Sequence, residues 1–129
     1  MKIEHIALRV KSLKIMIEFY EQYFGADVSS LYRNESRSFT SCFLRFKSGC
    51  RLELMHWPLA ETTQGSERVQ TYGLVHFAIS VGSRDMVNSL TECLRADGWK
   101  IVGEPRTTGD GYYESVVLDP ENNRVEITA

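Results

Sequence analysis

Four ionisable residues stand out by type and spacing: His5, Glu53, His76 and Glu126. Each sits in a short run that alternates apolar and polar side chains. His5 opens His-Ile-Ala-Leu-Arg-Val, and His76 opens His-Phe-Ala-Ile-Ser-Val. Glu53 lies in Arg-Leu-Glu-Leu, and Glu126 in Arg-Val-Glu-Ile. The His-to-Glu separation is 48 in the first copy and 50 in the second. Successive side chains of a strand point to opposite faces. His5, Ala7 and Arg9 therefore oppose Ile6, Leu8 and Val10, and His76, Ala78 and Ser80 oppose Val75, Phe77, Ile79 and Val81. Glu53 opposes Leu52 and Leu54, and Glu126 opposes Val125 and Ile127. One polar residue on the water-facing side of an antiparallel sheet is ordinary. Two copies related by a pseudo-twofold axis would bring two imidazoles and two carboxylates together. That donor set suits a divalent first-row ion such as nickel, cobalt, zinc, manganese or iron. Lacking thiolates, it suits a Lewis-acid centre with room for substrate better than a structural site.

The elements that must position these residues repeat as well. Ile15, Ile17, Phe19, Tyr20, Tyr23 and Phe24 recur at helical spacing between an N-cap at Ser12 and a stop at Gly25. Met86, Val87, Leu90, Cys93 and Leu94 do the same between Ser83 and Gly98. Three strand-like runs follow each helix: 26–32, 38–46 and 50–57, then 99–104, 113–118 and 124–128. Lys47-Ser48-Gly49 and Asp119-Pro120-Glu121-Asn122 read as hairpin turns. Each module is βαβββ. The modules span 1–57 and 73–129 of a single domain, 1–129, joined by a polar linker at 58–72.

Composition narrows the function classes. Apolar residues make up 43% and charged residues 25%, as in an ordinary globular chain. A net charge of -2 without runs of one sign gives no basis for a nucleic-acid or anionic-membrane partner. No apolar stretch reaches the roughly 18 residues of a membrane span. Cys42, Cys50 and Cys93 are odd in number and widely spaced. They read as mostly buried thiols in a reducing, cytoplasmic compartment. His56 points away from the Glu53 face and reads as structural. Trp57, Trp99, Tyr112 and Tyr113 read as core or rim residues, with a substrate pocket as the alternative. Gly109-Asp110-Gly111 is a turn and lacks the spacing and lysine of a phosphate loop.

The sequence resembles the vicinal oxygen chelate superfamily, and within it glyoxalase I (lactoylglutathione lyase). The resemblance rests on His5–Val10, Ile17-Glu18-Phe19-Tyr20, Phe24-Gly25, Arg51–Leu54, Leu74–Ala78 and Asp119–Glu126, and covers essentially the whole chain. It implies an α+β fold, two βαβββ modules forming a cupped mixed sheet around a metal: the glyoxalase/bleomycin resistance/dioxygenase fold. It implies His5, Glu53, His76 and Glu126 as ligands, of nickel or cobalt rather than zinc. Glu at position 53 looks like glyoxalase I. Extradiol dioxygenases and fosfomycin-inactivating thiol transferases typically use two His and one Glu, and bleomycin-sequestering members have lost the ligands. These remain the alternatives, as a metal-dependent transferase or dioxygenase, or an antibiotic-binding protein. The implied reaction is methylglyoxal detoxification, with Glu126 as leading base, Glu53 as its counterpart and Arg9 on the carboxylate of glutathione. Where the family commonly places an asparagine that holds glutathione, this chain has Trp57, so another thiol adduct stays open. Asn122 replaces the glycine of the family's turn, a mild change because Asn tolerates a left-handed backbone. The resemblance also implies a homodimer with sites shared between chains. The partners that orient the two imidazoles are not legible in the sequence.

Overall fold

A computed structural model of the chain describes residues 4–35, 38–56, 74, 76–109 and 111–129. It divides into two compact units, Met1–Thr63 and Gln64–Ala129. In the first, the Ser12 side chain accepts the N–H of Ile15 at 3.4 Å and starts helix α1, Leu13–Phe24. Gly25 ends the helix in the left-handed region at φ 61°, where a side chain is costly. Met16, Phe19 and Tyr20 are the buried stripe. Ile15, expected on that stripe, is 51% exposed. At 3.6 residues per turn it lies about 100° from Met16, on the shoulder of the helix.

The strands of this unit are β1 (His5–Arg9), β2 (Asp27–Val28), β3 (Tyr32–Asn34), β4 (Phe39–Arg45) and β5 (Arg51–His56). Their order is β1-β5-β4-β2, with β3 also pairing with β4. β1 runs parallel to β5, and the other pairs are antiparallel. The run expected as one strand over 26–32 is two pieces, both on β4. Ser29 lies between them. Its N–H donates to the Phe43 carbonyl and its hydroxyl accepts the Phe43 N–H, each at 2.9 Å, so a side chain replaces a ladder partner. Leu8, Val10, Leu44, Leu52 and Leu54 are buried on the sheet.

The second unit repeats the order. Ser83 caps α2 (Arg84–Ala96) by accepting the Met86 N–H at 3.2 Å. The strands β6 (Phe77–Ser80), β7 (Ile101–Thr107), β8 (Tyr113–Leu118) and β9 (Arg124–Thr128) lie in the order β6-β9-β8-β7, with β6 parallel to β9. β7 runs to Thr107, beyond the expected 104, and slips register on either side of Gly103. Pro105 is tolerated because β7 is an edge strand. Val87, Leu94, Val117, Val125 and Ile127 form the core. Met86 (51% exposed) and Cys93, both expected on the apolar helix face, are exposed instead. Thr91 takes a core place because its hydroxyl is satisfied, donating to the Val87 carbonyl at 2.6 Å and bonding Ser115 Oγ at 2.7 Å. Of the cysteines only Cys42 is buried; Cys50 is half-buried and Cys93 exposed, against the expectation of mostly buried thiols.

Buried Asp119 organises the last turn. Its Oδ1 accepts the N–H groups of Glu121 and Asn123 at 2.9 and 2.8 Å. Asn122 takes the left-handed conformation, φ 64°. Trp57, the linker at 58–72, Val75 and Asp110 lie outside the described residues. Among the described residues no helix is long and apolar enough to cross a membrane.

Candidate metal centre

Parallel pairing of first and last strands puts the four chemical residues in matching places. In the first unit Ala7 lies opposite Glu53, and His5 is two residues before Ala7 on the same face. In the second unit Ala78 lies opposite Glu126, and His76 is two residues before Ala78. A methyl group opposite each carboxylate leaves its imidazole room to approach. His5 Nε2 stands 3.6 Å from Glu53 Oε2, and His76 Nε2 stands 3.3 Å from Glu126 Oε2. The carboxylates are the better shielded members, 13% and 17% exposed against 40% and 42% for the imidazoles. Two donors bound to one ion at about 2.1 Å, at angles between octahedral and tetrahedral, sit roughly 3.0–3.4 Å apart. The observed separations fit that requirement with little adjustment. Each unit supplies one imidazole–carboxylate pair; among the described residues no cluster of three or more His, Cys, Asp and Glu donors forms.

The surroundings of the two pairs differ. In the first unit the carboxylate of Glu4 accepts from His5 Nδ1 at 2.6 Å and is also held by the guanidinium of Arg51. Arg51 stacks on Phe43, 3.9 Å from the ring centroid, and the Phe43 and His5 rings meet in a T-shaped arrangement with centroids 5.5 Å apart. The hydrogen bond from His5, with Arg51 beside it, holds the Glu4 carboxyl below its ordinary range. Burial, and then the Glu53 charge, push the Cys42 thiol up. In the second unit Val116 lies opposite Glu126, and Glu114 is two residues along on the same face. Ser115 on the other face bonds to α2, which fixes the orientation of β8. Glu114 is buried and takes a bond from Arg106 at 3.3 Å.

Arg9 follows His5 and Ala7 on the same face of β1, exposed at its far end. His56 faces away from Glu53, and its Nδ1 bonds the Val10 carbonyl at 3.0 Å, which agrees with a structural role. Tyr113 also turns to the helix side: its hydroxyl donates to Asn88 at 2.8 Å and Arg84 covers its ring. It is therefore absent from the Glu126 face. Sequence reasoning missed Glu4 and Phe43 around His5, and Glu114 and Arg106 beside Glu126. Strand alternation puts Arg51 on the Glu53 face and could have placed Glu114 on the Glu126 face, but their contacts need three-dimensional register.

The sequence model of the Glyoxalase/Bleomycin resistance protein/Dioxygenase superfamily matches residues 2–127. The chain belongs to this superfamily. Members commonly bind a divalent metal. No curated protein sequence gives a significant match. Among solved structures, this glyoxalase-superfamily chain is similar to the trypanothione-dependent glyoxalase I of Leishmania major, with 23% identity and a TM-score of 0.77 over 99% of this chain and 86% of that one. It is similar to glyoxalase I of Zea mays, with 24% identity and a TM-score of 0.75, covering 98% of this chain and 44% of that longer one. A possible glyoxalase from Bacillus cereus shares 26% identity, with a TM-score of 0.72 over 100% and 99% of the two chains. Likeness to the parasite and maize enzymes at these identities shows the fold alone.

Proposed function

We propose that this superfamily member is a metal-dependent lyase of glyoxalase I type. It would convert the hemithioacetal of a 2-oxoaldehyde and a thiol into a 2-hydroxyacyl thioester. The observation that carries the reading is the same His–Glu pair, formed twice at the same register and at the spacing of two donors on one ion. His5, Glu53, His76 and Glu126 would hold the metal, nickel or cobalt before zinc. When bound, the ion supplies Lewis-acid polarisation of the substrate oxygens. Glu126 takes the proton from the carbon that bears sulfur and returns it to the neighbouring carbon, as a general base and then a general acid. Glu53 is its near-symmetric counterpart. Both are well shielded, which favours proton exchange with substrate over exchange with water. His5 and His76 act as neutral imidazoles presenting Nε2. Arg9, on the His5 face, supplies a positive charge to a carboxylate of the thiol partner. Trp57 in place of the family's asparagine supports a thiol other than glutathione.

A complete site needs both pairs. We place the first module of one subunit against the second module of its partner, in a symmetric homodimer with two sites. His5 and Glu53 would then meet the partner subunit's His76 and the partner subunit's Glu126. The protein would work on small molecules in the cytoplasm.

Three experiments test this. Protein loaded with nickel, cobalt or zinc should hold close to one ion per four-residue site, and Glu53→Gln or His76→Ala should abolish stoichiometric binding. It should turn over methylglyoxal adducts of glutathione or of another low-molecular-weight thiol. Absence of binding, or binding untouched by both substitutions, refutes the ligand assignment. Binding without turnover of any adduct moves the assignment to the transferase or dioxygenase chemistry of the same superfamily. Co-refolded His5→Ala and His76→Ala chains should regain part of the activity; verified heterodimers without any gain would mean that each chain builds its own site.

A further inference from the structure

The two imidazoles of the repeat are held differently. Glu4, Arg51, Phe43 and His5 form a closed ring of contacts drawn from three neighbouring stretches of chain. Glu4 accepts from His5, Arg51 holds Glu4, Arg51 stacks on Phe43, and the Phe43 and His5 rings make a T-shaped contact. The backbone reinforces the ring, since the Arg51 N–H donates to the Glu4 carbonyl at 3.0 Å. Register explains why the ring closes. Arg51 lies directly opposite His5 on β5, and Phe43 lies opposite Glu53 on β4, so all three side chains share one face.

An ionised carboxylate can only accept, so the His5 nitrogen it touches must carry the proton. In a neutral ring the other nitrogen is then a bare lone pair. That nitrogen is Nε2, the one 3.6 Å from Glu53, a separation too long for a hydrogen bond. We propose that Glu4, steadied by Arg51, is the positioning residue of the centre: it fixes His5 in the Nδ1–H tautomer and ring orientation that present Nε2 to an ion. The sequence of the second module lacks the matching carboxylate and aromatic ring. Val75 stands where Glu4 stands, and Val116 where Phe43 stands, although Arg124 matches Arg51. The inference rests on the metal reading above. It makes the first half of the site preorganised and leaves the second half to be ordered by other means.

The test uses the full-length chain. Long-range proton–nitrogen NMR of the metal-free protein, at a pH where imidazole is neutral, reports the tautomer of each histidine. His5 should show a protonated Nδ1 and a bare Nε2. Glu4→Ala should move His5 toward the Nε2–H form and leave His76 unchanged. Titration calorimetry with nickel should show an affinity loss of about 10- to 100-fold for Glu4→Ala. Arg51→Met, which keeps a side chain against Phe43, should give a smaller loss in the same direction. Melting temperatures close to wild type would separate these losses from unfolding. His5 in the Nε2–H form in the wild type, or a tautomer indifferent to both substitutions, overturns the proposal while leaving the metal reading intact. The expected tautomer in a wild-type chain that binds no nickel overturns the metal reading, and with it the part given to Glu4 in holding an ion. Nickel affinity unchanged by Glu4→Ala, despite a changed tautomer, also overturns that part.

Discussion

Gly103 gives the sharpest link between fold and site. It sits at the register slip of β7, against β8. A Cβ there would lie 2.9 Å from Val116 Cγ2, 3.1 Å from Val116 Cβ and 3.1 Å from Arg106 Nη1. Arg106 can swing away, but Val116 is β-branched, has few rotamers and is buried. Gly103→Ala must therefore displace Val116 or the strand that carries it. Overpacking of this kind costs about 1–3 kcal/mol. At about 4 °C per kcal/mol for a chain of this size, the melting temperature should fall by roughly 4–12 °C. Val116 lies opposite Glu126, so the displacement reaches the candidate centre. Nickel affinity should fall by up to about tenfold, the low end of the loss seen when support around a ligand is disturbed. Thermal melts and calorimetry on Gly103→Ala, Val116→Ala and the double variant form a cycle. The double variant should be more stable than the sum of the single losses implies, because the shortened side chain makes room for the new methyl. Strict additivity, or an unshifted melting temperature for Gly103→Ala, would refute the steric argument.

Three further outcomes follow from the packing. Thr91→Val should cost about 1–3 kcal/mol in urea unfolding because it strands the buried Ser115 hydroxyl, and adding Ser115→Ala should recover much of that. Cys93 should react with iodoacetamide well before Cys42, whose thiol is buried and pushed above its ordinary pKa of 9.0. The sign for stability follows: the neutral Cys42 thiol favours the folded state at and below ordinary pH, and that contribution fades as the unfolded chain ionises above about pH 9. Asn122→Val should cost on the order of 1–2 kcal/mol in a thermal melt, since a β-branched residue resists φ 64°, while Asn122→Gly should be close to neutral.

Strand alternation was enough to put His5, Glu53, His76 and Glu126 on faces opposite Leu8, Leu54, Ile79 and Ile127, because a period of two survives any error in strand ends. Capping chemistry at Ser12, Gly25 and Ser83 was equally legible, being local. What escaped depends on partners distant in sequence. Ser29 breaks one strand in two because Phe43 pairs with its side chain as well as its backbone. Thr91 joins the core because Ser115 satisfies it, and Met86 stays outside although it is apolar. Glu4 carries no signal of its role in the sequence, since the pairing of β1 with β5 is what brings Arg51 against it.

The parallel pairing of first and last strands also governs when each half can fold. Among the described residues β1 pairs with β5, more than forty residues later, and β6 with β9. Local hairpins such as β8 with β9 can zip early, but closing each sheet needs a long loop to be gathered first. On a ribosome, a nascent module would expose one edge of β5 or β9 to no partner until the early strand swings back. The His–Glu pairs form at that same closing contact, so under the proposed metal reading ion binding and sheet completion would report on one event. A chelator present during refolding should thus slow or reverse the final step, leaving the hairpins untouched.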